Sequence, residues 1–570
     1  LVPQTNSQNN SSNSGGAIYN TSFGTTIING GVIKGNTAVG DSPSGSAIFH
    51  SCKTTGEATL QIGGNANINV GNDIYLMSNT SATKYVEITS SIKNPLILTV
   101  EGESESRVDA AGRTVRISKK NFPSKAVRVE LKQRWDEDSD GKLSPSEIKK
   151  VKYLSVFASE DEKKTSLKGM QYFYNLKSVD LYAKTMNHID LRKNKKLESL
   201  EISGKKLSGL KFYGRNLKTV DISVEQYKGD LNLRNLPKLE KVSISSDGKY
   251  NKIDLSGSKV QSIDIGDHWT SVKYLDFSNC KRLQYATVQL RNLGKMKMKG
   301  SNGLRSLDLE TYYPEDSTIR KVDVSRMRDL VFLNLSGSKI SQLSVKNNKK
   351  LEVLNVHGTN LKKLNLSVNK KLQTLDVGST KIKKLDLSAN KKIRELDVSH
   401  TKIRTLNLSA NKKIREFRCG NNRITKMFSL PNPERVELLD ISNTKMKSPN
   451  LKRYTALKEL YANGISATSL DLKKCRKLEY IYLNDTKYLK RLDLSKQKLL
   501  INVEFRRSNV EELDIRATTR VCDQDEGGRG IGFDDCKKLR KVIHNKNWRY
   551  LYWFQNSAEA EGLNVMWISV

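Results

Sequence analysis

The chain has 570 residues, of which 36% are hydrophobic and 28% are charged. This apolar fraction is low for a compact globule of that length and suits an elongated repeat protein, whose short strands share one thin core. The net charge is +37, but residues 1–100 carry four lysines and four acids and are neutral. This asymmetry marks a domain boundary, and the sign of the excess points to an anionic partner or surface.

Several classes of protein are not indicated by the sequence. No run of about 18 apolar residues occurs, so no membrane span is predicted. The six cysteines have no CxxC spacing, which argues against a zinc site or a dense disulfide framework. Cys522 and Cys536 flank a glycine-rich loop and offer one disulfide across it, whereas the others are expected to be small buried residues. The chain begins with Leu1 and has no signal peptide, so we expect a mature protein or a piece of one.

The N-terminal region predicts a short stack of β-strands. Residues 1–14 are polar and low in complexity, which is typical of a flexible lead-in. Three related phrases follow within residues 15–100: GGAIYN, GSAIFH and GNDIYL. Short β-branched runs between Gly and Asn at this period predict coils of a parallel β-helix. The phrases resemble the right-handed β-helix repeats of large bacterial surface proteins, and the charged residues 101–118 are expected to form a linker.

The stretch DEDSDGKLSPSE predicts a calcium-binding loop. Its residues match the EF-hand pattern at loop positions one, three, five, seven, nine and twelve: Asp136, Asp138, Asp140, Lys142, Ser144 and Glu147. Gly141 supplies the sharp turn at position six. Ca²⁺ takes six to eight hard oxygen ligands, which carboxylates on one tight loop provide together with negative charge. The alternative is an acidic, solvated turn without an ion.

Apolar residues on both sides of this loop predict two flanking helices. Those of the first helix are Phe122, Val127, Leu131 and Trp135, and those of the second are Ile148 and Val151. Residues 119–160 therefore form an EF-hand-like cap in this prediction. The segment also resembles the N-terminal cap that precedes leucine-rich repeats in many secreted Gram-positive surface proteins.

A leucine-rich repeat pattern occupies residues 161–545. Four copies follow one another at a strict spacing of 21 residues, starting at Asn348, Asn369, Asn390 and Asn411. The period and the LxxLxL spacing predict a solenoid of short parallel strands with the Leu, Ile and Val columns inside. The repeats resemble those of internalin-type adhesins, but only Cys419 lies where some members carry a cysteine ladder. Residues 546–570 are rich in aromatic residues and are expected to cap the solenoid, with an aromatic ligand cradle as the alternative.

The repeats place lysines in columns. Two columns follow the asparagines directly: Lys349, Lys370, Lys391 and Lys412, and Lys350, Lys371, Lys392 and Lys413. A second patch consists of Lys362, Lys363, Lys383 and Lys384. One interpretation is a solvated ridge copied with the repeat, and the other is a ladder of cations that receives a polyanion such as teichoic acid, an acidic glycan or nucleic acid. Lysine is a point charge, so nucleic-acid binding there would be salt-dependent and independent of base sequence. His357 and Arg418 lie on the predicted concave strands, a mixed polar surface suited to protein or glycan contact.

No enzyme is predicted. The six histidines lack the spacing of a metal site, no GxSxG elbow occurs, and GGRGIG lacks the lysine of a phosphate loop. The fold class predicted is a β-rich protein of two solenoids, a short right-handed parallel β-helix and a leucine-rich repeat solenoid, with a small helical cap between them. The resemblances imply a secreted or surface-bound bacterial binding protein, which engages a host or matrix protein, glycan or polyanion. We expect the chain to be a monomer. The alternatives are a surface spacer and the non-catalytic part of a polysaccharide-active enzyme.

Overall fold

The structure is a computed structural model of the chain. It describes residues 114–570 except 160, 188, 228, 246–247, 268, 316, 519–529 and 549–550, and it does not describe the side chain of Trp553. From residues 1–113 it describes only the backbones of short strands. The chain divides into two units, residues 1–178 with 190–196 and residues 179–189 with 197–570.

The three N-terminal phrases pair in one parallel sheet. Ile18 is opposite Ile48, and Ile48 is opposite Ile74. The strands of this sheet are Ile18–Asn20, Ile48–Cys52, Ile74–Ser78, Leu96–Val100 and the antiparallel Ser106–Val108. Parallel pairs also join the strands Gly24–Ile28, Glu57–Ile62 and Thr83–Ile88, the strands Ser7–Gln8, Val32–Lys34 and Asn67–Ile68, and the strands Ser11–Ser12 and Thr37–Ala38. The β-helix itself stays a prediction for residues 15–100, and the side chain of Cys52 lies outside the described part.

Two helices flank the predicted calcium loop. The first is Lys125–Arg134, which begins after Ser124 because the Oγ of this residue accepts a hydrogen bond from the Val127 amide. The second is Pro145–Lys150, which Ser144 and Glu147 open with a capping box. Other elements of this part are the antiparallel strands Val115–Arg116 and Lys142–Leu143, the strand Tyr153–Phe157 and the 3₁₀ turn Met170–Tyr172.

The predicted helix residues are buried, but not all lie within helices. Val127 and Leu131 are fully buried on the first helix. Phe122 lies before that helix, because Ser124 is the N-cap and the first helical residue is Lys125. The Phe122 ring stacks on Phe173 at a centroid distance of 5.9 Å. Val151 likewise follows the second helix, as its C-cap.

The second unit is a β-solenoid built around one long parallel sheet. Its inward column pairs Leu333, Leu354, Leu375 and Leu396 in register, each at most 1% exposed. Each such leucine stabilises the fold by about 1.5–3 kcal/mol through burial. The strands in order are Thr185–Met186, Ser199–Leu207, Thr219–Tyr227, Lys241–Ile244, Ser262–Ile265, Tyr285–Val288, Ser306–Asp308, Phe332–Asn334, Val353–Asn355, Thr374–Asp376, Glu395–Asp397, Glu416–Arg418, Leu438–Asp440, Glu459–Tyr461, Tyr480–Tyr482, Asn502–Glu504 and Ile531–Gly532.

Two shorter parallel sheets are formed by strands that lie, in the sequence, between or after the strands of the long sheet. The first contains Asp230–Asn232, Lys249–Asp254, Ser271–Asp276 and Asn292–Lys297. The second contains Arg491–Asp493, Glu512–Asp514, Lys541–His544 and Met566–Ser569. The remaining elements are the strands Ser178–Tyr182, Ile189–Leu191 and Leu210–Phe212, the 3₁₀ turn Pro433–Arg435 and the helix Leu551–Ala560.

The C-terminal aromatic residues are mostly packed together. Phe554 contacts Phe533, Trp548 and Trp567 with centroid distances of 4.5, 5.4 and 5.3 Å. Phe554 and Trp548 are each 5% exposed. These buried rings favour the predicted cap over an aromatic ligand cradle. None of the helices in the described residues has the length and apolarity needed to cross a lipid bilayer.

Buried side-chain donors join successive turns of the solenoid. The Nδ2 of Asn390 donates to the carbonyls of Leu366 and Asn369 at 3.1 and 2.9 Å. Asn348, Asn369 and Asn411 make the equivalent pair of bonds in their own turns. We call this column the asparagine ladder. Each of these carbonyls also accepts the backbone amide three residues further on, so the ladder adds a second hydrogen bond that ties one turn to the next.

Cysteines take the same position at other turns. The thiols of Cys280 and Cys475 donate to the carbonyls of Leu255 and Leu451 at 3.2 and 3.5 Å. Burial raises the pKa of both thiols to about 12. Cys536 is a buried free thiol that donates to the Phe505 carbonyl, and Cys522 lies outside the described residues. Cys280, Cys475 and Cys536 are therefore donors in their turns, whereas Cys419 is a buried residue on the inner side of its strand.

We predict that Asn390→Ala lowers the free energy of unfolding by about 1–3 kcal/mol, because it removes two buried hydrogen bonds that join successive turns. Asn390→Cys should recover part of the loss, since a thiol serves at the equivalent position of other turns. The midpoint of urea unfolding measures both effects. The exposed neighbour Lys391→Gln is the control, and a loss no larger than that of the control would contradict the role of the ladder.

Candidate binding surfaces and metal site

Three carboxylates of the predicted calcium loop converge. Oxygen atoms of Asp136, Asp138 and Glu147 all lie within 4.8 Å of one another. Gly141 has a φ of 75°, the left-handed conformation that the sixth position of the loop requires. Asp136 is 7% exposed, and its Oδ1 is buried with no hydrogen-bond partner among the described residues. A buried, unpartnered carboxylate oxygen facing two further carboxylates fits a hard divalent cation.

The loop's hydrogen bonds position two of these groups before any ion binds. Glu147 accepts hydrogen bonds from the Ser144 and Glu137 amides at 2.6 and 2.7 Å. Burial pushes the pKa of Glu147 up, but the hydrogen bonds from Ser144 and Glu137 outweigh burial and lower the pKa below its usual value. Asp136 accepts a hydrogen bond from the Gly141 amide at 3.1 Å. Glu147 is therefore ionised and held in place at neutral pH.

The other predicted ligands are placed differently. Asp140 turns towards Lys142, whose ammonium donates to its Oδ2 at 3.1 Å, and this bond lowers the pKa of Asp140. Its side chain is thus outside the three-carboxylate cluster. The Ser144 hydroxyl donates to Glu147 at 2.7 Å and so supports the twelfth-position ligand.

The lysine columns form an exposed ridge on the solenoid. The eight lysines of the two columns are all exposed and directly follow the asparagine ladder: Lys349, Lys350, Lys370, Lys371, Lys391, Lys392, Lys412 and Lys413. Lys350 pairs with Asp329 at 2.6 Å. Among the described residues, the other seven make no ion pair. We call these eight residues the lysine ridge.

The ridge is longer than the strict repeat indicates. The same position after a turn donor is occupied by Lys281 and Arg282 after Cys280, and by Arg476 and Lys477 after Cys475. These residues are exposed as well. The sequence signal was present but hidden, because Cys replaces Asn as the marker of the turn. The patch of Lys362, Lys363, Lys383 and Lys384 is also exposed, in the part of the repeat before the next strand.

His357 and Arg418 lie on another surface, the strand face of the long sheet. His357 Nδ1 is 3.3 Å from Asp376 Oδ1. The hydrogen bond that the His357 ring donates to the Asp376 carboxylate raises the pKa of His357 and outweighs burial, and the charge of Asp397 raises it further. Arg418 pairs with Glu416 at 3.0 Å and is in register with Asp397 and Asp440. The structure thus separates these two residues from the lysine ridge.

The strand face also carries a row of acids. Each acid occupies the position just after the inward residue of its strand: Glu201, Asp221, Asp264, Asp308, Asp376, Asp397 and Asp440. Burial and then Asp376 raise the pKa of Asp397, and burial and then Asp180 and Asp221 raise that of Glu201. The signal in the sequence was a repeated phrase of two apolar residues three positions apart followed directly by an acid, as in LQTLD at 372–376.

Two tyrosines extend this face towards the C-terminus. Tyr461 and Tyr482 are one strand apart and stack with centroids 4.7 Å apart and planes 5° apart. The Tyr461 hydroxyl donates to Glu459 at 3.1 Å. Burial, followed by the charge of Glu459, raises the pKa of Tyr461 to about 12. The strand face therefore combines carboxylates with a flat aromatic surface.

No protein-family model matches the chain, and no curated protein matches it. Among solved structures, it is similar to the functional domain of InlJ from Listeria monocytogenes, which includes a cysteine ladder, with 18% identity, a TM-score of 0.46, and coverage of 76% of this chain and 82% of that one. It is also similar to the internalin inlF from Listeria monocytogenes, with 16% identity, a TM-score of 0.42, and coverage of 65% and 98%. It is also similar to YopM from Yersinia enterocolitica, with 16% identity, a TM-score of 0.39, and coverage of 72% of this chain and 94% of that one. Similarity at this level assigns no ligand and no residue role to this chain.

We predict that the pKa of His357 in the folded protein lies above 6.5 and falls in Asp376→Asn. Because the pKa is raised on folding, the protonated pair stabilises the fold fully below the unfolded pKa. That contribution is lost as the pH rises through the folded pKa. NMR titration of selectively ¹³C-labelled histidine measures it, with Asp440→Asn as the control on the same face. An unchanged His357 pKa in Asp376→Asn would contradict the pairing.

Proposed function

We propose that this chain is a non-enzymatic, adhesin-like binding protein, secreted or at the bacterial cell surface, which engages a polyanionic partner through the lysine ridge of its leucine-rich solenoid. The observation that carries the proposal is the set of unpaired lysines, held in register by the asparagine ladder. The resemblance of the 21-residue repeats to internalin-type adhesins supports the surface location. Host or matrix proteins and acidic glycans are the partners with suitable charge.

The ridge favours binding over a spacer role for an electrostatic reason. Like charges about 5 Å apart repel by about 0.8 kcal/mol in water before screening, so seven of the eight lysines repel their neighbours without compensation. A polyanion that lies along the column neutralises several of them at once and displaces its own counterions. A spacer needs solubility, which mixed charges supply equally well.

We predict that replacing Lys370, Lys371, Lys391 and Lys392 by Gln lowers the salt concentration at which the chain elutes from immobilised heparin, a model polyanion. Each lost contact removes one released counterion, so the salt dependence becomes less steep. The control carries the same charge change at four exposed lysines elsewhere on the solenoid: Lys205, Lys206, Lys259 and Lys299.

If the elution salt concentration falls equally in the two variants, the ridge binds heparin no better than other exposed lysines, and the proposal is contradicted. A parent chain that is not retained at about 150 mM salt would favour the spacer, because screened surface charges alone bind weakly there.

We further propose that residues 119–160 form an EF-hand-like cap that binds Ca²⁺, preceded by the β-helix of residues 15–100. The three converging carboxylates and the unpartnered Asp136 oxygen support the ion. A single loop of this kind has no paired loop to open, so a structural ion fits better than a sensor. The parallel pairing of the three N-terminal phrases supports the β-helix.

We predict that Ca²⁺ raises the melting temperature of the first unit, because the ion binds only the folded loop. Glu147→Gln should abolish this gain and the terbium luminescence sensitised by Trp135, which adjoins the loop. Glu137→Gln is the matched control, since its carboxylate points away and pairs with Lys150 at 2.6 Å. Loss of the signal in both variants, or in neither, would contradict the site.

A further inference from the structure

One cleft of the described solenoid shares no lining residue with the lysine ridge or with the acid row of the strand face. It has a volume of about 1030 Å³, at the upper end of the range for ligand sites. Its floor is the sheet that contains the strands Lys249–Asp254, Ser271–Asp276 and Asn292–Lys297. Lys249, Ser271 and Asn292 are in register across these strands and form one row of the floor. That row offers a cation, a hydroxyl and an amide.

An aromatic and cationic wall rises beside this floor. Trp269 is 51% exposed, and its ring lies 5.5 Å from that of Tyr313. The guanidinium of Arg291 lies 5.8 Å from the Trp269 centroid and 5.4 Å from the Tyr313 centroid. An arginine placed against two rings loses little conformational freedom when it binds an anion. The wall therefore presents a flat apolar ring next to a positioned cation.

The loop that carries Trp269 is held in place. Asp267 Oδ1 accepts hydrogen bonds from the Trp269 amide at 3.3 Å and from the Thr270 hydroxyl at 2.9 Å. Gly294 cannot be replaced by a residue with a side chain unless the floor moves, because a Cβ there would lie 2.4 Å from the Lys273 carbonyl oxygen. Among the described residues that line the cleft, none is acidic. The cleft is thus a built, positively charged site.

We propose that this cleft binds an acidic oligosaccharide. The Trp269 ring would receive the apolar face of one sugar, and Arg291 with Lys249 and Lys273 would bind its carboxylate or sulfate. Ser271 and Asn292 supply partners for sugar hydroxyls. Single-stranded nucleic acid fits less well, because it needs a series of rings along a track, whereas this cleft has one half-exposed indole beside a polar floor. The site goes beyond the proposed function, since it shares no residue with the lysine ridge.

Calorimetric titration of the intact chain tests the site. The probes are 3′-sialyllactose for a carboxylate, a heparin-derived tetrasaccharide for sulfate, lactose as the neutral sugar and an oligothymidylate for nucleic acid. We expect one of the two acidic saccharides to bind and lactose to bind at least tenfold more weakly. Trp269→Ala and Arg291→Gln should each lower the affinity for the acidic saccharide at least tenfold. Trp269→Phe should retain part of this affinity because it keeps an aromatic ring.

Two control variants separate this site from the others. Tyr285→Ala removes an aromatic side chain of similar exposure, 49%, on the long sheet and should leave the affinity unchanged. The four-lysine ridge variant should bind the acidic saccharide preferred by the parent chain with unchanged affinity, even if it is retained less strongly on immobilised heparin. Equal binding by parent and Trp269→Ala, no binding of either acidic saccharide, or preference for the oligothymidylate would each overturn the proposal.

Discussion

The solenoid depends on one repeated contact, a buried side-chain donor that reaches the backbone carbonyls of the preceding turn. A repeat of this kind contacts only its neighbours, so its turns must be satisfied locally. What the position requires is a donor, and Asn390, Cys475 and Gln497 all meet that need with different chemistry. The Oδ1 of Asn390 is buried without a partner among the described residues, a cost that a thiol avoids. This explains why cysteine can replace asparagine there without any redox role.

The same contact determines where the cations lie. The lysines after the ladder face outward, and the leucine or isoleucine that follows each pair is buried. The repulsion between lysines of adjacent turns is about 0.8 kcal/mol in water, whereas the two buried hydrogen bonds of one ladder residue together contribute about 1–3 kcal/mol. The ladder therefore outweighs the repulsion, and the lysines stay in register. Their alignment is a consequence of backbone bonding before it is a property of any ligand.

The repeats were predictable from the sequence because they recur at a strict spacing of 21 residues around Asn348 to Asn411. The convergence of Asp136, Asp138 and Glu147 was predictable because all three lie within one short loop. Contacts between different turns were not. His357 meets Asp376 across 19 residues, and Trp269 meets Tyr313 across a stretch where the repeat length changes. Such pairs become visible only when the register of the strands is known.

Net charge is a poor description of this surface. The strand face gathers carboxylates closely enough that burial and Asp376 raise the pKa of Asp397, while the ridge and the cleft gather cations. Salt acts differently on the two cationic regions. The ridge lysines are exposed, and at physiological ionic strength a Debye length of about 8 Å screens them strongly. Arg291 in the cleft is exposed as well, but its guanidinium lies against the rings of Trp269 and Tyr313, which restrict its conformations before an anion binds. At physiological salt, the cleft should therefore determine which partner binds, whereas the ridge should mainly raise the rate at which anionic partners encounter the protein.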